Sequence, residues 1–142
     1  MKTTLDILNQ LKKVLEEELD YKDFIVQLDY PDTDRCIKPT TIFLTPETGI
    51  IEGLTTGSDS CSLDVTLYII CRRKKDNALM ENVFRCYEEV YKLLRNNPHL
   101  DEFVADTIIN DFDYYPSTGV DSEKAIEVRL TMIWEKDFNS LN

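Results

Sequence analysis

The chain has 142 residues, 42% of them hydrophobic and 30% charged, and its formal net charge is −11. This balance is typical of one globular domain, expected over residues 1–142, and no apolar run approaches the roughly 20 residues of a membrane-spanning helix. The N-terminus shows no apolar signal core, so synthesis in the cytoplasm is expected, and the acidic surface argues against ordinary nucleic-acid binding because it repels phosphate backbones.

The N-terminal residues predict a first helix. Thr3 or Thr4 is a candidate N-cap, and Asp6 in the first turn suits the positive end of the helix dipole. Five leucines at spacings of three and four form an apolar stripe, namely Leu5, Leu8, Leu11, Leu15 and Leu19. We expect this stripe to pack on the domain's own sheet, with a neighbouring subunit as the alternative partner.

Two strands are predicted next, one over residues 24–30 and a short one from Thr41 to Thr45. The stretch 46–60, PETGIIEGLTTGSDS, contains three glycines and resists assignment to a regular element. Ile50, Ile51 and Leu54 are apolar residues that a solvated loop does not normally contain. Two interpretations stay open, that they tuck under the loop or that they are presented to a partner as a subunit interface.

The clearest pattern in the sequence is the ladder CSLDVTLYIIC at residues 61–71. Every second residue is apolar, which predicts one buried side of a strand over 61–72. That side is formed by Cys61, Leu63, Val65, Leu67, Ile69 and Cys71.

A second helix follows this strand, with Asp76 and Asn77 as candidate caps and Pro98 beyond its end. One face consists of Leu79, Val83, Cys86, Val90 and Leu94, and it is widened by Met80, Phe84, Tyr87 and Tyr91. An apolar arc this broad predicts burial on more than one side of the helix.

Two further strands close the chain. The first covers 103–114, with Val104, Ile108, Phe112 and Tyr114 expected on one side. The second has an alternating ladder of Ile126, Val128, Leu130, Met132 and Trp134. Since a short connection joins them, they are expected to pair antiparallel. The order α-β-β-β-α-β-β predicts an α+β fold, a mainly antiparallel sheet with two helices packed on it.

No residue pattern predicts catalysis, a cofactor or a metal site. The four cysteines, Cys36, Cys61, Cys71 and Cys86, show no metal-ligand spacing and are interpreted as small buried side chains. His99, the only histidine, stands in a helix-ending turn. The chain is therefore not expected to be an enzyme.

Seven acids and no lysine or arginine lie between Asp101 and Glu123. Asp106, Asp111 and Asp113 are the candidate acidic surface in this stretch. Carboxylates so placed suit Mg²⁺ or Ca²⁺, but a hydrated acidic edge is the favoured interpretation.

The element order, the size and the long stretch before the central strand resemble the bacteriophage tail terminator and neck (head-tail joining) protein family. The resemblance is carried by the leucine helix, by LDVTLYIICR with the helix after it, by NNPHLDEFVADTI and by AIEVRLTMIWEKDF. It implies a structural virion or prophage protein that caps the tail tube and joins tail to head. The family commonly forms a hexameric homo-oligomeric ring, and an acidic lumen would suit the passage of DNA.

The resemblance further implies tail-tube and head-completion proteins as partners. It implies a location in the host bacterial cytoplasm during assembly and in the virion tail afterwards. A second hypothesis is an acidic binding or immunity-type protein that blocks a basic partner through residues 101–123. An enzyme is the least favoured class, because the polar groups do not converge on a nucleophile or a base.

Overall fold

The computed structural model describes residues 2–32, 39–72, 78–116 and 123–137, and it has the predicted α-β-β-β-α-β-β order. The elements are α1 (Thr4–Glu18), β1 (Phe24–Leu28), β2 (Thr40–Thr55), β3 (Ser58–Arg72), α2 (Leu79–Asn96), β4 (Asp106–Tyr115) and β5 (Glu123–Asp137). The candidate caps Asp76 and Asn77, and Cys36, lie outside the described residues.

The five strands form one sheet in the order β1-β2-β3-β5-β4. β1 pairs with β2 in parallel, whereas the other three pairs are antiparallel. β3 and β5 pair along their whole lengths, from Ser58 opposite Asp137 to Arg72 opposite Glu123. The predicted α+β class with a mainly antiparallel sheet is confirmed.

Both helices pack on the same face of this sheet, because their buried residues belong to one cluster with the inward side chains of the strands. The two predicted ladders supply those side chains, from Cys61 to Cys71 in β3 and from Ile126 to Trp134 in β5. Apolar and polar residues alternate in these two strands because the helices cover one face of the sheet, so that every second side chain is buried. A smaller cluster of Phe43, Ile70 and Ala125 lies on the helix-free face.

α1 begins with a reciprocal N-cap. Thr3 Oγ1 accepts a hydrogen bond from the Asp6 backbone N–H at 3.1 Å, and the Asp6 carboxylate accepts one from the Thr3 N–H at 2.9 Å. These bonds lower the pKa of Asp6. The other four leucines of the stripe are buried in the chain's own core, but Leu5 is 59% exposed. The stripe prediction is wrong for Leu5, which lies about 120° around the helix from Leu11.

β2 is much longer than predicted. The sequence predicts a strand over Thr41–Thr45 and then irregular chain, whereas β2 continues to Thr55 and turns at 56–57 into β3. Register shifts after Pro46 and after Gly53 accommodate proline and glycine within the antiparallel pair. The prediction of irregular chain is therefore wrong. The sequence misleads here because residues 46–55 are all exposed, so it lacks the alternation of buried and exposed positions by which a strand is recognised.

β4 contains a register shift between Ile109 and Asp111 that leaves Asn110 as an extra residue. Before the shift, Ile109 pairs with Leu130 on the helix side, and after it Phe112 pairs with Val128 on that same side. Ile108 therefore points to the helix-free face and is 39% exposed. The expectation that Ile108 shares a side with Phe112 and Tyr114 is wrong, because a bulge inverts the alternation of the strand.

The connection between α2 and β4 has unusual backbone geometry. Leu100, Asp101 and Glu102 have φ angles of 48°, 60° and 66°, in the left-handed region. The Asn97 side chain accepts a hydrogen bond from the Asp101 N–H at 3.0 Å, and Gln10 of α1 donates to the Leu100 carbonyl at 2.9 Å. These bonds fasten the connection to both helices.

Candidate subunit-interface site

The distal half of β2 forms a free edge of the sheet. All residues from Pro46 to Thr55 are exposed, and β1 pairs only with Thr40–Leu44. Within the described ranges, no strand pairs with the outer side of Pro46–Thr55, which we call the edge segment. The backbone N–H and C=O groups of such an edge are available to another chain.

The three apolar residues singled out in the sequence lie on this edge segment. Ile50, Ile51 and Leu54 are 52%, 69% and 55% exposed. Ile50 pairs opposite Ser62 and Ile51 opposite Cys61, so the two isoleucines point to opposite faces of the sheet. Their exposure excludes the interpretation that they tuck under a loop, and the interpretation that they are presented to a partner stays a prediction.

The edge segment lies at the same level of the sheet as the start of β4, which is the opposite edge. Ile50 pairs with Ser62, Ser62 with Ile133 and Ile133 with Asp106, which gives one row across four strands. Neighbouring strands are about 4.8 Å apart, so the ends of this row are roughly 14 Å apart.

A groove of about 290 Å³ lies between the C-terminal part of α2 and the start of β4. It is lined by Tyr91, Leu94, Arg95, Pro98, Asp106, Thr107, Ile108 and Ile109, and we call it the α2–β4 groove. Arg95 is exposed, and in the described part of the chain it takes part in none of the ion pairs. The Asp106 carboxylate accepts a hydrogen bond from the Thr107 N–H at 2.9 Å.

An aromatic cluster adjoins the α2–β4 groove. The Phe112 ring packs against Tyr87 and Phe84 of α2, with centroid distances of 4.6 Å and 6.3 Å. Tyr91 and Phe112 remain 40% and 41% exposed, and Met80 is 51% exposed. The broad apolar arc predicted for α2 is thus buried where it faces the central strands and only partly covered where it faces the edge strand β4.

The structure brings Asp111 and Asp113 together around Arg129 of β5. The guanidinium lies 2.5 Å from Asp111, 2.6 Å from Asp113 and 3.3 Å from Glu127. Hydrogen bonding to Asp111 and Asp113 raises the pKa of Arg129, which therefore stays charged. Asp106 lies at the other end of β4 and takes no part in this cluster.

The cluster continues across the helix-free face. The Thr131 hydroxyl donates to Asp64 at 2.7 Å, and Asn110 donates to the Thr131 hydroxyl at 2.8 Å. We call Asp64, Asp111, Asp113, Glu127 and Arg129 the acidic face, since three carboxylates contact Arg129 and a fourth, Asp64, accepts the hydrogen bond from Thr131 nearby.

Two tyrosines border the acidic face. Tyr115 donates a hydrogen bond to Glu127 at 2.7 Å, which raises the pKa of Tyr115. Partial burial, with Glu127 nearby, raises the pKa of Tyr68 to about 12. Both phenols are therefore neutral at physiological pH, and the charge of this face comes from its carboxylates.

His99 and the described cysteines are the other residues that the sequence singled out for possible chemistry. His99 Nδ1 lies 2.8 Å from the Ala105 carbonyl oxygen, inside the connection between α2 and β4. Cys61, Cys71 and Cys86 are free and buried, and burial raises the pKa of Cys71 and Cys86. Because only the thiolate is nucleophilic, these two cysteines are chemically inert at neutral pH.

A cleft of about 350 Å³ lies at the proximal end of β2, beside the start of α2. Its polar groups are linked to one another, since the Tyr21 hydroxyl is 3.2 Å from Thr40 Oγ1 and Thr40 Oγ1 is 3.3 Å from Cys71 Sγ. Among the described residues, no group of three or more His, Cys, Asp or Glu side chains is arranged to hold a metal ion. In the same ranges, neither helix has the length and apolar character needed to cross a membrane.

Comparison with known proteins gives a likeness to solved structures. No family model matches the chain, and no curated protein matches it. Among solved structures, it is similar to the sheath/tube terminator of PVC, an extracellular contractile injection system, in its extended state. The identity is 13% and the TM-score 0.56, over 100% of this chain and 60% of that chain. The chain therefore has a tail-terminator-like fold and spans 60% of the length of this neighbour.

Sequence reasoning missed two features of these surfaces. The α2–β4 groove depends on the spacing between a helix and a strand far apart in the chain, which no local pattern encodes. The contact of Arg129 with Asp111 and Asp113 could have been predicted from the sequence, because all three residues occupy outward positions of two strands that are expected to pair antiparallel.

Proposed function

We propose that the chain is a structural protein that ends the tail tube of a phage or phage-like particle, joins tail to head, and acts as a homo-oligomeric ring. The observation that carries the proposal is the similarity of the whole chain to a sheath/tube terminator, at a TM-score of 0.56. Each subunit is proposed to be the single domain of residues 1–142, assembled in the host cytoplasm and then resident in the tail.

The free edge of the sheet supports the oligomeric part of the proposal. Long exposed edge strands with apolar residues pair with other chains unless charges, bulges or covering elements block them. The edge segment presents Ile50, Ile51 and Leu54 at more than half exposure. We assign these three residues to the interface between subunits, where their burial contributes to association.

The acidic face is proposed to line the passage of the ring. When subunits meet through sheet edges, the helix-free face stays exposed, and it carries Asp111, Asp113 and Glu127 around Arg129, with Asp64 nearby. Such a lining repels phosphate groups, so DNA moves past it without adhering. Asp111 and Asp113 already form ion pairs with Arg129 of the same chain. The alternative function, an inhibitor that binds a basic partner through these two carboxylates, therefore has less support.

Light scattering and negative-stain electron microscopy test the proposal. We expect the purified protein to form rings at high concentration, and to stop the growth of tubes when mixed with a polymerising tail-tube protein. Ile51→Glu is expected to prevent ring formation, whereas Tyr30→Glu, at a position 64% exposed outside the edge segment, is expected to leave it unchanged. A monomer at all concentrations, with no effect on tube length, would refute the proposed function.

A further inference from the structure

We infer that the edge segment of one copy binds in the α2–β4 groove of a second copy, so that copies associate side by side through opposite edges of the sheet. The inference rests on the proposed ring function and names the surface that receives Ile50, Ile51 and Leu54. That surface is the α2–β4 groove with the adjoining aromatic cluster, at the far edge of the same chain.

The distribution of exposed apolar side chains supports two different contact surfaces. Ten large hydrophobic side chains of the described residues are exposed, and three of them lie on the edge segment. Three more, Tyr91, Ile108 and Phe112, lie in the α2–β4 groove or in the aromatic cluster beside it. Because the two surfaces differ and lie at opposite edges, their pairing is heterologous, which is the kind of contact that builds rings.

The two surfaces lie at the same level along the strands, so a second copy can make this contact without being displaced in the strand direction. Ile50 and Asp106 end one row of paired residues that crosses β2, β3, β5 and β4. A second copy placed beside the first at the same level therefore brings its Ile50 to the level of the first copy's Asp106 and Ile108. The apolar side chains of the edge segment then meet Tyr91 and Ile108 of the groove.

The faces of the sheet determine which side chains can meet. Ile51 pairs opposite the buried Cys61, so it lies on the side of the sheet that carries α2 and Tyr91. Ile50 pairs opposite Ser62 and Ile108 opposite Thr131, so both lie on the helix-free side. Contact between the two edges therefore brings Ile51 to Tyr91 and Ile50 to Ile108.

A symmetric contact between two edge segments fits these observations less well. It would place Glu47 and Glu52 of one copy near the same acids of the other. It would also leave Tyr91 and Phe112 uncovered beside the α2–β4 groove. A second copy bound through unlike surfaces covers both apolar sets.

Charges introduced at Ile51 and Tyr91 test the inference. Ile51→Glu alone and Tyr91→Lys alone each place one unpaired charge in the apolar contact, and each is expected to weaken association at least about tenfold. The two variants mixed in equal amounts are expected to assemble again, because the carboxylate introduced on one edge segment then meets the ammonium group introduced in the groove of the other variant. Native mass spectrometry of the mixture is expected to show both variants in equal number, and the double variant Ile51→Glu/Tyr91→Lys is expected to assemble alone.

Matched controls place charges at an exposed apolar position outside both surfaces. Tyr30→Glu and Tyr30→Lys make the same kinds of change at a position 64% exposed, and both are expected to leave association unchanged. Circular dichroism and thermal unfolding establish that every variant is folded. Since Ile51 and Tyr91 are 69% and 40% exposed, the monomers are expected to unfold at the wild-type temperature.

The outcomes separate the inference from the proposed function. Wild-type rings together with restored assembly in the mixture support the inference. Wild-type rings that tolerate both single changes, or a mixture that stays dissociated, overturn the inference and leave the proposed function intact. A wild-type protein that is monomeric at high concentration overturns both.

Discussion

Leu100, Asp101 and Glu102 are three consecutive residues other than glycine with positive φ angles, of 48°, 60° and 66°. Left-handed backbone costs an L-residue roughly 1–2 kcal/mol, because Cβ approaches the carbonyl oxygen. The surroundings compensate for this cost, since Leu100 is fully buried and its carbonyl accepts a hydrogen bond from Gln10. The connection is therefore held in a strained conformation by its contacts with α1 and the core.

Glycine at position 102 is expected to stabilise the protein. Glu102→Gly removes the steric cost of the left-handed conformation, and we expect the free energy of unfolding to rise by about 1 kcal/mol. Glu88→Gly, the same change at an exposed position inside α2, is expected to lower it by about 1 kcal/mol. Urea-induced unfolding of both variants checks the prediction, which fails if position 102 loses stability as position 88 does.

At the scale of elements, β2 consists of two halves with different roles. Its proximal half, Thr40–Thr45, is buried between β1 and β3, whereas its distal half, the edge segment, is exposed throughout. Burial stabilises the fold in the first half. The second half keeps its apolar residues on the surface.

Truncations in neighbouring strands are expected to show this division. Leu67→Ala in β3 leaves a cavity at a fully buried position, and we expect it to cost about 2–5 kcal/mol of unfolding free energy. Ile51→Ala, at a position 69% exposed, is expected to cost less than about 1 kcal/mol in the monomer. Chemical denaturation at low protein concentration checks both values, and equal losses would contradict the division.

The same difference explains which elements the sequence predicts. The ladders of β3 and β5 are visible because each strand is covered by helices on one face, so burial selects every second residue. The edge segment is not recognisable as a strand from the sequence because, among the described residues, no element covers it. The bulge at Asn110 could not be predicted either, since it depends on the register between β4 and β5 rather than on its own sequence.

The candidate site follows the same rule. Ile50, Ile51 and Leu54 were recognisable as apolar residues in an exposed place, and Asp111 and Asp113 as acids on one strand face. Arg95 and Ile108 gave no local signal, because the α2–β4 groove exists only when α2 lies against β4. Residue type was enough to single out the apolar residues of the edge segment, whereas the α2–β4 groove is produced by tertiary packing alone.

At the scale of the whole molecule, association is expected to protect the edge segment. Amide hydrogens on the outer side of the edge segment are expected to exchange readily in a monomer, because none of the described strands pairs with that side. We expect exchange in this segment to slow at least about tenfold when rings form. Hydrogen-exchange mass spectrometry at low and high protein concentration measures the change, with the central residues of β3 as the slow control.

Exchange of the edge segment that is the same in the monomer and in the ring would contradict its placement at the interface. Protection that appears along β4 together with the edge segment is the expected pattern for contact between opposite edges. Protection of the edge segment alone would favour contact between like edges.

The extra residue at Asn110 has a consequence for the size of the particle. A bulge bends its strand and increases the local twist, so it sets the direction in which the β4 edge points. When unlike edges meet, the angle between successive copies decides whether the series closes after a few members or continues as an open helical filament. The extra residue at Asn110 is thus positioned to influence whether copies close into a ring of fixed size or continue as a filament.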